Sequence, residues 1–276
     1  LTLFNGGVIN SVTFGQGDAG IVSVSAADTI TIDGEAEDSF FNSTIVSGVA
    51  DMGIGNSGGI EIGTSDLFLT NGGSINTRTA GRGNGGDINL EVRSLFLENN
   101  SVIDTSTFNR GNSGQVTINA SNISLNNSSF IASEVVNGAT GNSRGIKVTA
   151  DSLNLANGSQ IDTNSLGEGD AGAIAINVLD SISIDTRSGI ASLVGETARG
   201  NSGGIKIDTG NLSLFGGSLI DTSSLGEGNA GQINVNAAEN ITIDGINSVI
   251  FSEVDDNATG NSAGIEISAG NLSLTN

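Results

Sequence analysis

The chain contains no cysteine, histidine, proline, tryptophan or tyrosine. Without cysteine there are no disulfides and no thiol chemistry, and without histidine the commonest zinc ligand and general base are missing. The lack of proline leaves every backbone N–H free to donate to a sheet. Ten phenylalanines are the whole aromatic content. Basic residues are scarce too, with 9 Lys and Arg against 30 Asp and Glu in 276 residues, for a net charge of -21. That field repels phosphate backbones and anionic lipid, so no nucleic-acid partner and no membrane insertion are expected. No apolar run reaches the roughly 18 residues that a bilayer span needs. No basic-then-apolar leader opens the chain, so any targeting signal is expected outside this stretch.

What the chain does have is glycine, 42 residues of it, and an aliphatic content rich in the β-branched types that suit pleated strands. It is also self-similar. LSLFGGSLIDTSSLGEGNAG (212 to 231) aligns without a gap on LTLFNGGVINSVTFGQGDAG (1 to 20), and 153 to 172 aligns again. The sharpest marker is Gly followed by Asn or Asp, with the second residue at Asp18, Asn56, Asn84, Asn112, Asn142, Asp170, Asn201, Asn229 and Asn261. Successive markers lie 38, 28, 28, 30, 28, 31, 28 and 32 residues apart. A floor of 28 with a variable excess describes a fixed coil that accepts insertions.

Each unit contains three short alternating stretches, and alternation at period two puts one set of side chains on one face of a strand. The first two stretches are aliphatic at every inward position, as at Ile88 and Leu90 and then Leu95 and Leu97. The third opens on an unbroken isoleucine column: Ile9, Ile45, Ile75, Ile103, Ile131, Ile161, Ile190, Ile220 and Ile250. Two residues on comes a column that always carries a hydroxyl, at Ser11, Ser47, Thr77, Thr105, Ser133, Thr163, Ser192, Thr222 and Ser252. Its parity places it inward, where a buried hydroxyl needs a partner. Stacked coils about 4.8 Å apart would let each Ser or Thr bond its axial neighbour. The next inward column alternates between Thr79, Thr107, Ser165 or Ser224 and Val49, Val135, Val194 or Val254, so two coil types interleave.

One 28-residue coil holds too few apolar side chains to offset its own backbone entropy, and it gains stability only by stacking on like coils. The expected fold is therefore all-β: a right-handed parallel β-helix, a solenoid of about nine coils of 28 to 38 residues with three strands per coil. Residues 1 to 276 form a single segment, on the order of 43 Å long. Handedness follows from the general chirality of parallel crossovers. Gly-Asn corners suit positive φ, and their Asn side chains are placed to hydrogen-bond along the axis. The one large insertion, a protruding loop over 33 to 44, carries Glu35, Glu37, Asp38, Phe40 and Phe41 as a possible partner loop. The chain starts and stops within equivalent strands, so it reads as a piece of a longer protein whose neighbours are flanking coils or end-to-end copies, the alternative being a self-assembling extracellular filament subunit.

The units GNSGGIKIDTGNLSLFGGSLIDTSSLGEGNAG (200 to 231) and NITIDGINSVIFSEVDDNATGNSAG (240 to 264) resemble the repeats of large exoproteins of the filamentous haemagglutinin type, particularly those of cyanobacteria. The resemblance covers essentially the whole chain. It implies export by two-partner secretion, a long right-handed β-helix, and a non-enzymatic role as an adhesin or surface-layer component. Surface carbohydrate, or a receptor on a host or neighbouring cell, would then be the partner.

Chemistry of its own is not expected. The position between the Ile and hydroxyl columns holds Asn10, Asn76, Asp104, Asp162 and Asp221, interrupted by Ala132, Ala191 and Phe251. An acidic array there would suit a polysaccharide-active enzyme. The interruption and the want of a nearby base favour a solvated face, on which Asp162→Ala would be nearly silent. Calcium is the one cofactor to consider, with Glu168 and Asp170 in GEGDAG (167 to 172) as candidate ligands. Most corner residues are neutral Asn, so turn geometry explains them better. No other cofactor is expected.

Overall fold

A computed structural model describes residues 1–34 and 42–275. Every regular element among them is a β-strand, and all the strand pairings are parallel. With no helix present in the described residues, none is available to cross a membrane. The chain is a β-solenoid of about nine turns, and its strands fall into two sheets.

One sheet stacks nine short strands in chain order, including Thr44–Val49, Val102–Asp104, Phe130–Ala132, Gln160–Asp162 and Leu219–Asp221. The other is built mainly from long strands such as Ile60–Thr70, Ile88–Glu98, Ile174–Ile184 and Ile233–Asp244, each spanning the first two alternating stretches. Only in two turns do those stretches stay apart, as Val22–Ser25 with Thr29–Asp33 and as Val116–Asn119 with Asn122–Asn126. Where they fuse, the register holds between Ile60–Thr70 and Ile88–Glu98 but slips in later turns, between Ala150 and Ser152 in one and between Val178 and Ser181 in the next. An extra residue in one strand bends it without ending it. In those later turns the first corner of the coil is therefore a kink inside a strand. After each short strand the chain is pinned by single bridges, through Val49, Thr79, Thr107 and Val135 and on to Val254.

Pairing is in register, so each side chain meets its homologue in the next coil. Ile131, for example, lies between Ile103 and Ile161. From Ile45 to Ile220 the isoleucine column is completely buried, while Ile9 and Ile250 in the outer coils are partly covered. Burying one such side chain stabilises by about 2 kcal/mol, and each coil contributes its set only when a neighbour covers it. The corner glycines answer to two constraints at once. Their φ angles run from 130 to 152, and a Cβ on Gly83 or Gly228 would run into the carbonyl of the corner glycine one coil earlier.

Glu35, Glu37, Asp38, Phe40 and Phe41 lie outside the described residues. On either side of that insertion the repeat resumes in register, with Ile30 opposite Leu67 and Ile45 opposite Ile75.

Candidate functional site

The polar columns come first, because they account for most of the conspicuous side chains. At the Gly-Asn/Asp corner, each side-chain oxygen accepts the backbone N–H of the next corner residue. The series runs from Asp18 to Asn56 (2.6 Å), Asn84 (2.9 Å), Asn112 (2.9 Å), Asn142 (2.8 Å), Asp170 (2.8 Å), Asn201 (2.7 Å), Asn229 (3.0 Å) and Asn261 (2.9 Å). It is unbroken over nine coils. Asp18 and Asp170 act in it as Asn does, because only an acceptor oxygen is required.

The hydroxyl column works differently from the expected axial chain of hydroxyls. Its partners are glycine carbonyls across the corner. Thr105 Oγ1 donates to Gly114 O (2.8 Å), and Ser133, one coil later, reaches back to the same oxygen (2.8 Å). Thr163 and Ser192 share Gly172 O in this way, and Thr222 and Ser252 share Gly231 O. Thr77 donates to Gly86 O, Ser47 to Gly20 O, and Ser11 accepts from Gly20 N–H. A carbonyl has two lone pairs, so one oxygen can tie two coils. From Thr105 to Ser252 the coils are thus coupled in pairs, one with Thr and one with Ser, while Thr77 holds Gly86 O alone. The Ser coils add a second serine after the corner Asn, and Ser57, Ser143, Ser202 and Ser262 bond back to Ser47, Ser133, Ser192 and Ser252.

Two further columns escaped the sequence reading. Seven serines precede the isoleucines by two residues, from Ser43 to Ser248, and all are buried. Ser101, Ser129 and Ser159 close the turn onto the carbonyls of Glu98, Asn126 and Ala156. A second asparagine series, Asn71, Asn99 and Asn127, stacks by side-chain bonds of 3.0 Å. These asparagines hold φ near 50 to 57, which Asn tolerates better than other residues with a side chain. Both signals were available as fixed offsets from the isoleucine column.

The outward acidic column is where the structure departs most from expectation. Asp104, Asp162 and Asp221 are buried, at 3%, 8% and 6% exposure, not solvated. Their neighbours in the column, Ala132 and Ala191, are small and buried as well. Side chains two positions further on stand beside them, and these bring the groups into one cluster. Arg78 binds Asp104 through Nε and lies 5.6 Å from the centre of the Phe108 ring. Asp104 also accepts the Ser106 N–H at 2.6 Å. Glu134, half-buried, accepts from Asn164 Nδ2 at 3.0 Å. The Asp162 carboxyl accepts no hydrogen bond from any described residue. A base is therefore present after all, at one end of the cluster.

Burial pushes the Glu134 carboxyl up to about 7, and the Asp104 carboxylate adds to the rise, while the Asn164 amide and the Arg78 guanidinium oppose it. Burial likewise raises Asp162 well above the ordinary carboxyl range, with Glu134 contributing. Asp221 is raised by burial against two hydrogen bonds from Ser223, and Glu253 raises it further.

The calcium candidates do not converge. Asp170 is committed to the Asn201 N–H and Nδ2, and Glu168 is exposed in a separate bridge column between Thr140 and Arg199. Among the described residues no group of three or more acidic side chains is arranged to hold a metal ion.

No protein-family model, no curated protein and no solved structure matches the chain.

Proposed function

We propose that this chain is a length of non-enzymatic shaft in an extracellular surface protein, acting as an adhesin or as part of a surface layer. The observation that supports this reading best is the direction of its polar bonding. Corner asparagines, the second asparagine series and the shared glycine carbonyls all tie one coil to the next. A molecule bonded in this way is stiff along its axis and keeps few free reactive groups at the repeated positions. The resemblance of the repeats to filamentous-haemagglutinin-type exoproteins supports export by two-partner secretion and a partner among cell-surface carbohydrates or receptors. Beads carrying the purified chain are expected to bind cells or their surface polysaccharide saturably and to leave the polysaccharide intact. Failure to bind any surface, together with release of sugar fragments, would overturn the proposal.

A polysaccharide-active enzyme is the second reading, and the cluster of Asp104, Glu134 and Asp162 beside Arg78 is what favours it. Perturbed carboxyls on an outward sheet face are the groups such chemistry uses. A catalytic carboxyl must also reach its substrate. Asp104 and Asp162 are buried, and Asp104 is held by Arg78, so the shaft is the better fit.

A further inference from the structure

Ion-pairing on this face stops short of its centre. Arg78 occupies Asp104, and Glu134 and Asp162 lie on the next two coils. The positions flanking them carry Phe130 and Gln160 on one side and Val136 and Leu166 on the other, none of which is ionisable. Towards the C-terminal coils the corresponding positions are Ala191 and Leu193, and only beyond them come Asp221 and Glu253. Among the described residues the cation acting on the pair is Arg78, already engaged by Asp104, and the other charged groups along the face are acidic. Asn164, two residues after Asp162 on the same coil, satisfies one oxygen of Glu134, while its own oxygen accepts the Leu193 N–H at 2.9 Å. That leaves Asp162, 8% exposed, with no donor among the described residues. A buried carboxylate without a donor or a cation is costly, and the remedy open to it is a proton.

We propose that Glu134 and Asp162 form a proton-binding site that is full in acid and empties as the pH rises through neutrality, and that emptying it loosens the coils from 131 to 165. The sign follows from linkage. Glu134 is raised from 4.5 to about 7 in the folded chain, so the folded state binds more protons than the unfolded state between those values. For Glu134 the penalty is absent well below pH 4.5, grows from there and levels off above pH 7, and Asp162, raised in the same direction, adds a loss of the same sign. The two carboxyls interact, so the titration belongs to the pair.

The test is the melting temperature of the whole chain at pH 5, 7 and 9, for the natural protein, Glu134→Gln, Asp162→Asn, and Asp151→Asn as an exposed control. The natural chain and the control are expected to lose stability as pH rises. Each of the two pair variants is expected to lose on the order of 5 °C less between pH 5 and 9. Variants that follow the profile of the natural chain would overturn the proposal. Should either variant fail to fold, infrared spectra of the natural chain decide the matter. A protonated carboxylic acid band at pH 7 that fades by pH 9 is expected, and its absence at pH 7 would equally refute the site.

Discussion

Replacing Thr107 by valine is expected to stabilise the protein. Thr107 is fully buried, and its Oγ1 has no hydrogen-bond partner. Its axial neighbours are Thr79, which is also unpaired, and Val135. Valine already occupies this column at Val49, Val135 and Val194, buried in each case, so the shape fits. An unpaired hydroxyl taken out of water costs about 1–3 kcal/mol, and the isosteric change removes that cost without opening a cavity. At roughly 2–4 °C per kcal/mol for a chain of this size, the gain is readily measured by thermal unfolding followed by circular dichroism. The control lies two residues away. Thr105 is equally buried, but its hydroxyl donates to Gly114 O. Thr105→Val is expected to cost about 1 kcal/mol and no more, because Ser133 still serves that carbonyl. A loss of stability in Thr107→Val, or shifts of the same sign in both variants, would refute the reasoning.

Ile161→Ala should cost about 2–5 kcal/mol, and hydrogen exchange should quicken at Ile131 and Ile190, with which it pairs. Gly228→Ala meets both a φ of 151 and the Gly200 carbonyl. A loss of more than about 1 kcal/mol is expected, and an unchanged melting temperature would show that the corner can widen. Asn112→Ala removes the acceptor for the Asn142 N–H and should cost about 1 kcal/mol, with faster exchange of that amide. Asp170→Asn retains an acceptor for Asn201 and should leave the melting temperature in place. Calcium is expected to have no effect on either form, and a rise of several degrees on adding it would mean that Asp170 and Glu168 do hold an ion.

The face carrying Asp162 shows why parity alone misled. Alternation correctly separates inward from outward side chains, yet outward is not the same as solvated. Asp162 is covered because Glu134 of the preceding coil and Asn164 of its own coil crowd the same face, between coils that carry Ala132 and Ala191 in its column. No single coil contains that information. The want of a base was misjudged for a related reason, since Arg78 and Asp104 are far apart in sequence and meet only because coils stack in register.

The sequence by itself determined the solenoid. Isoleucine at every turn, a corner of Gly followed by Asn or Asp, no proline, and a 28-residue floor leave one way to bury the apolar columns, which is parallel stacking of like coils. It also determined that buried hydroxyls and corner asparagines recur once per coil. Only the tertiary structure decided whom they bond. From Thr105 onwards one glycine oxygen serves a threonine and a serine from consecutive coils, so those coils are coupled in pairs, and Thr79, Thr107 and Ser224 are left without partners. Periodicity reports the face on which a group lies. Hydrogen bonds depend on distances of a few tenths of an ångström between coils, and those are set by how each corner packs on the one before it.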